Sequence, residues 1–288
     1  MRHNYNLFNF LNEDDISYYL LGAWFSDGNV MWIDKHSYMA RLSSNDNEWI
    51  EKIRNIICPT LPISIRKDRE APHYSVTITN KQITKWFINH GCIMNKSLIV
   101  EMPDIPNEYL PDFLRGCWDG DGWISIYKQK NNKERIMAIL SSGSKKFVTK
   151  LQQRLMEQYN IKSSITILPA KAIIIKNKIS YRHELYKLAI SGFCAKKLIN
   201  IMYYNDHQIS MLRKNIMAQQ VISNNKEEIA TNKPYTRPLN VGCKIQWPSD
   251  NDLLAMINAS NINRIAIKLG VTYDAVKHRL QHRGICPM

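Results

Sequence analysis

Two short stretches of this chain carry acids in unusual company. FLRGCWDGDGWIS (113–125) sets Asp119 and Asp121 among glycines, a cysteine and two tryptophans, and YYLLGAWFSDGNV (18–30) sets Asp27 in similar surroundings. Leu20, Gly22, Trp24, Asp27 and Gly28 fall opposite Leu114, Gly116, Trp118, Asp121 and Gly122 at a constant offset of 94 residues. A lone DGDG run is ordinary turn chemistry. A repeated one points elsewhere, because two carboxylates brought to one place repel and one protonates unless a positive charge joins them. Hard divalent cations fill that role: Mg²⁺ or Mn²⁺ takes oxygen ligands from one or two carboxylates and completes its shell with water and phosphate. Such a pair suits phosphodiester hydrolysis, one ion activating water and another stabilising the leaving oxygen.

The acids can meet only if their helices do. Gly22 and Ser26 lie four apart, as do Gly116 and Gly120, so each pair shares one helix face. Small residues there remove the bulk that normally separates helix axes. Leu20, Leu21, Trp24 and Phe25, and in the other copy Leu114, Cys117 and Trp118, would fill the core around the pair. Asp27 and Asp121 then end the helices, where the dipole is negative and a cation is welcome.

The repeat continues beyond these motifs. RLSSNDNEWIEKI (41–53) aligns with ILSSGSKKFVTKL (139–151), and YSVTITN (74–80) with YKLAISG (186–192). Each copy reads as a helix, strands at 29–33 and 37–44 or 123–127 and 135–142, and a capped helix at 46–57 or 144–158. A second strand pair follows at 62–68 and 73–79 or 163–168 and 182–190, then a short helix at 81–89 or 193–203. The expected class is α+β: two pseudo-symmetric α-β-β-α-β-β-α halves over 1–100 and 101–220, a linker at 221–240, and a small all-α unit at 241–288.

Composition narrows the partner. A formal net charge of +14, from 39 Lys and Arg against 25 Asp and Glu, favours a polyanion, with nucleic acid ahead of an acidic membrane surface. No window holds the ~20 apolar residues of a membrane span, and the start lacks an export leader. The expected setting is therefore intracellular: the cytoplasm of a bacterium or phage-infected cell, or an organelle. Six scattered cysteines without a CxxC pair read as reduced thiols. His278, His282 and Cys286 are spaced like zinc ligands, but the site would need a fourth such as Cys243, and a plain basic helix accounts for the spacing.

The two motifs resemble the nine-residue signature of the LAGLIDADG homing endonucleases, in their single-chain, two-motif form. Leu114 to Gly122 matches closely; Leu20 to Gly28 departs once, with Phe25 where the first motif acid would stand. The resemblance covers about residues 10–220. It implies saddle-shaped antiparallel sheets over a DNA major groove, Mg²⁺ or Mn²⁺ shared by Asp27 and Asp121, added contacts from the backbone carbonyls of Ser26 and Gly120, and a staggered double-strand break at a long asymmetric site. The family also uses basic residues near its metals, for which Lys187 and Lys81 are candidates. Asp119, without a partner in the first copy, receives no role. Strand alternation offers Arg41, Arg66, Arg135 and Arg182 to phosphates or guanine edges. The expected partner is double-stranded DNA bound by a monomer with internal pseudo-twofold symmetry, encoded by a mobile intron or free-standing; the ends lack the terminal His-Asn that an intein needs.

The tail, WPSDNDLLAMINASNINRIAIKLGVTYDAVKHRLQHRGI, looks like a helix-turn-helix, with helices at 250–258, 261–269 and 272–283. Ser249 would cap the first, and Leu253, Leu254, Ile265, Leu269, Val271, Ala275, Val276 and Leu280 would form a core. Thr272, Tyr273, Lys277 and Arg283 would face a major groove. Two other readings remain open: a non-cleaving DNA-binding regulator on the same fold, and an RNA maturase assisting intron splicing.

Overall fold

A computed structural model describes residues 3–34, 37–67, 71–94, 96–128, 134–175, 178–204, 209–225, 247–259, 262–269, and 276, 279 and 280. After a one-turn helix α1 (Phe8–Asn12), the first half runs α2 (Asp15–Ser26), β1 (Gly28–Asp34), β2 (Ser37–Ser44), α3 (Asn47–Ile57), β3 (Ile63–Arg66), β4 (His73–Ile78) and α4 (Lys81–Asn89). A 3₁₀ turn, Lys96–Leu98, leads to the second half. There the order is α5 (Leu110–Asp121), β5 (Gly122–Lys128), β6 (Glu134–Ser142), α6 (Lys145–Tyr159), β7 (Ser164–Leu168), β8 (Lys171–Ile175), β9 (Lys178–Arg182), β10 (Leu185–Ser191) and α7 (Phe193–Met202). Helix α8 (Leu212–Asn224) closes the main body.

The duplication reaches the level of register. One antiparallel sheet is ordered β1-β2-β4-β3 and the other β5-β6-β10-β7. Gly28 pairs with Leu42 and Gly122 with Leu140, while Leu42 pairs with Val76 and Leu140 with Leu188. Alternation decides the faces: Ala40, Leu42, Val76 and Ile78, like Ala138, Leu140, Leu188 and Ile190, are buried, and their neighbours point the other way. Asp46 accepts from the Trp49 N–H to cap α3, and Ser144 accepts from Phe147 to cap α6. A single core of buried residues runs through both halves.

The structure adds α1, the β8–β9 hairpin and α8, which continues to Asn224 across the start of the linker expected at 221–240, and it moves one residue. The β8–β9 hairpin forms its own two-stranded sheet, so Arg182 ends β9 and does not open the strand that pairs with β6. The run 182–190 is broken at 183–184, and its regular pairing starts at Leu185.

In the tail, helices α9 (Asp250–Ala259) and α10 (Ile262–Lys268) form, and the Ser249 hydroxyl accepts from the Asp252 N–H. Leu253, Ile265, Ala266, Val276 and Leu280 make a small second core. Leu254 was expected inside and is exposed, because Leu253 takes the inward position. Val271, Ala275, Thr272, Tyr273, Lys277 and Arg283, and the zinc-like set of Cys243, His278, His282 and Cys286, lie outside the described residues. No helix among the described residues is long and apolar enough to cross a membrane.

Candidate metal centre on the helix pair

Helices α2 and α5 meet backbone to backbone. A Cβ on Gly22 would run into the Phe113 carbonyl oxygen and lie 2.9 Å from the Cys117 nitrogen; one on Gly116 would run into the Tyr19 carbonyl oxygen and lie 2.8 Å from the Ala23 nitrogen. Each glycine therefore faces the main chain of the other helix, and both helices are buried along nearly their whole length. Lower down, a Cβ on Gly120 would strike the Ser26 hydroxyl and come within 3.2 Å of Asp27 Oδ2. Asp27, the C-cap of α2, thus reaches across to the end of α5, where Asp121 is the last helical residue.

The electrostatics reflect that proximity. Asp121 has its pKa pushed up to about 6, by desolvation first and by the Asp27 carboxylate second. Asp121 remains exposed and Asp27 half-buried, so the acid pair is open to solvent. Asp27 is also raised by desolvation, against the pull of Lys214, Lys96, His73 and Arg213.

Those two lysines had no sequence signal of their own. Lys96 is buried in the 3₁₀ turn and donates to the Ser26 carbonyl at 3.3 Å. Lys214, buried in the first turn of α8, donates to the carbonyls of Trp118 and Asp119 at 2.6 Å each and of Gly120 at 3.0 Å. Desolvation lowers both ammonium groups, Lys214 to about 8, while Asp27 and Asp121 oppose the shift. Each lysine thus places a positive charge on the carbonyl end of a motif helix, which the helix dipole favours. Both follow the last helix of their half, a repeat visible in sequence only once the closing segments are aligned.

The other candidates sit on the strands and on α4. Lys187, half-buried on β10, sits in register with Ser141 and Thr166. Lys81 opens α4 and is exposed. Neither is among the charges acting on Asp121. Arg41 is half-buried on β2 and donates to Thr77 Oγ1 at 3.1 Å; Arg135, exposed on β6, lies over the Tyr127 ring at 6.0 Å; Arg66 ends the edge strand β3. Trp123, two residues past Asp121, is 62% exposed and points opposite to the buried Ile124; its counterpart in register is Asn29.

Residues 108–196 match the family model of a LAGLIDADG-like domain. That stretch is a LAGLIDADG-like domain. It includes α5, so the second motif with Asp121 lies within the family match, and the LAGLIDADG-like motif of α2 is related to it by the internal repeat. An uncharacterized protein of Methanocaldococcus jannaschii is 24% identical over 181 residues; the match covers 60% of this chain, and this chain spans 60% of that relative's length. Among solved structures, mesophilic variants of the homing endonuclease I-DmoI share 16% identity at a TM-score of 0.45, over 72% of this chain and 97% of theirs. I-WcaI bound to its DNA recognition sequence shares 15% at 0.43, over 66% and 80%. Full-length DUF199/WhiA from Thermatoga maritima shares 14% at 0.42, over 93% and 89%.

Proposed function

We propose that this chain is a sequence-specific DNA endonuclease that uses divalent metal ions held by Asp27 and Asp121 to make a staggered double-strand break. The observation that carries the reading is the end of the helix pair. Two carboxylates from duplicated motifs come close enough for one to act on the other while open to solvent, and each helix runs directly into an antiparallel sheet whose strands alternate buried and outward-facing residues.

The donor set fits a hard cation. Asp27 and Asp121 supply carboxylate oxygens and Ser26 and Gly120 supply carbonyl oxygens, the ligand type that Mg²⁺ and Mn²⁺ prefer. Both carbonyls already accept from a lysine, but a carbonyl oxygen has two lone pairs and can serve a second partner. Among the described residues no group of three or more His, Cys, Asp or Glu is placed to hold a metal ion; two carboxylates would leave the rest of an ion's shell to water and substrate phosphate. When bound there, such ions would lower the pKa of water and stabilise the leaving oxygen. The protein's own part is positioning. The glycine contacts fix the distance between the acids, the lysines hold the two carbonyl ends, and Arg41, Arg135 and Lys187 on the outward sheet faces would anchor phosphates.

A second reading, a DNA-binding regulator that does not cut, draws on one observation: Lys96 and Lys214 already offset the charge of the acid pair, so the pair can persist without metal. Cleavage separates the two. Intact DNA spanning the gene's insertion point, incubated with the protein and Mg²⁺, should be cut on both strands. Asp27→Asn and Asp121→Asn should bind it but cut at least about 10³-fold more slowly. Binding without cutting by the wild type, or full cutting by either variant, would overturn the endonuclease reading.

A further inference from the structure

Asp119 is the acid the duplication does not repeat. At its place in α2 stands Phe25, which packs against Phe113 and Phe147 with ring centroids 5.4 and 6.0 Å away. Asp119 is wholly buried and fully engaged. Its Oδ1 accepts from the Tyr203 hydroxyl at 2.7 Å; its Oδ2 accepts from the Tyr19 hydroxyl at 2.7 Å and from the Met211 N–H at 2.9 Å. Tyr19 in turn accepts from the Trp49 indole N–H at 2.7 Å. One carboxylate therefore ties together α2 and α3 of the first half, the residue after α7, and the residue that begins α8.

That last tie matters most. Met211 is the N-cap of α8 and has no side-chain cap of its own. Three residues later Lys214 turns back to donate to the carbonyls of Trp118, Asp119 and Gly120. Asp119 thus grips the start of α8 twice, by its carboxylate at Met211 and by its carbonyl at Lys214. Charge-assisted bonds to a buried carboxylate are the strong kind, and breaking one strands a desolvated partner. Among the described residues Lys96 has a single bond, of 3.3 Å to the Ser26 carbonyl, and Phe25 beside it has no side-chain hydrogen-bonding group.

We infer that Asp119 is a positioning residue for Lys214: it pins the first turn of α8 so that the ammonium stays on the carbonyl end of α5, and Lys96 on the other side has no such latch. Taken with the endonuclease reading, on which this consequence rests, the site is held unequally, and the cut of one strand depends on Asp119 far more than the cut of the other.

The test separates the latch from the reaction. In the full-length chain, lysine acetylation by acetic anhydride is followed residue by residue by mass spectrometry, for the wild type, Asp119→Asn and the milder Tyr203→Phe. Loss of the latch should speed modification of Lys214 about tenfold in Asp119→Asn, and less in Tyr203→Phe, with Lys96 unchanged in both. No change at Lys214, or an equal rise at Lys96, would overturn the inference; if Asp119→Asn fails to fold, Tyr203→Phe decides alone. On supercoiled target DNA with Mg²⁺, Asp119→Asn should accumulate nicked circles, whereas equal slowing of both strands would overturn the strand assignment. A wild type that cuts nothing would overturn the endonuclease reading, and the acetylation rates would still decide the latch.

Discussion

The two halves are twins in geometry and strangers in polarity. Sheet order, register, capping positions and the glycine contacts of α2 and α5 repeat closely. The repeat extends to the residue after each motif acid, where a Cβ on Gly28 would lie 2.6 Å from Trp24 Cα and one on Gly122 2.5 Å from Trp118 Cα. Yet among the described residues Phe25 stands at the place of Asp119, Lys96 makes one bond where Lys214 makes three, Asn29 stands at the place of Trp123, and the β8–β9 hairpin belongs to the second half alone. Backbone contacts have to match, or the helices cannot close on each other. The polar contacts around them are free to diverge, as expected for a site that meets an asymmetric ligand.

The comparison can be broken most forcefully at the shared contact. Gly22→Val and Gly116→Val each drive a branched side chain into a backbone that cannot retreat, and each should cost at least about 3 kcal/mol, seen as a lowered denaturant midpoint. A mild effect in one half alone would mean the packing is not mutual. Trp123→Ala should weaken DNA binding about tenfold, consistent with loss of one large aromatic contact, and Asn29→Ala much less; equal losses in a titration would erase the asymmetry on the DNA side. Removing residues 241–288 should flatten the salt dependence of DNA affinity by about one unit of slope per lost phosphate contact, and an unchanged slope would mean the tail is no DNA arm.

The smallest effect concerns pH. The folded Asp121 pKa of about 6 lies above the ordinary 3.8, so ionising Asp121 disfavours the fold. That penalty is fully present above about pH 6 and absent below the ordinary value. Asp121→Asn should therefore raise Tm at about pH 7.5 and leave it unchanged near about pH 3.5. A lower Tm at neutral pH would show that Asp121 is stabilised by its lysines more than it is strained by Asp27.

Much of this was legible in the sequence, for local reasons. Alternating apolar residues and capping residues placed β1, β2, β5, β6, α3 and α6 within a residue or two, and the four-residue spacing of Gly22 and Ser26, Gly116 and Gly120 placed the helix contact. The lysines were not legible, because nothing in RKN or NKS marks Lys214 or Lys96 as buried; only the fold carries these closing segments back to the helix ends. Asp119 gives no local sign of its role, because the first copy has no matching acid and its partners, Tyr19, Tyr203 and Met211, are distant in sequence. The helix-turn-helix pattern of the tail likewise gives no sign of where it docks. Arg264 on α10 bonds Asp15 at 3.1 Å and the buried Asp112 at 3.3 Å, and Lys268 pairs with Glu108 at 3.2 Å. These contacts lie at the N-terminal ends of α2 and α5, about 18 Å of helix from Asp27 and about 14 Å from Asp121.

The central claim, that Asp27 and Asp121 together hold divalent ions beside a phosphate, is tested most directly by Mn²⁺ electron paramagnetic resonance on the protein–DNA complex. The account predicts tightly bound Mn²⁺ that appears only with DNA present and is lost in both Asp27→Asn and Asp121→Asn while DNA remains bound. Mn²⁺ held equally well by either variant would contradict it.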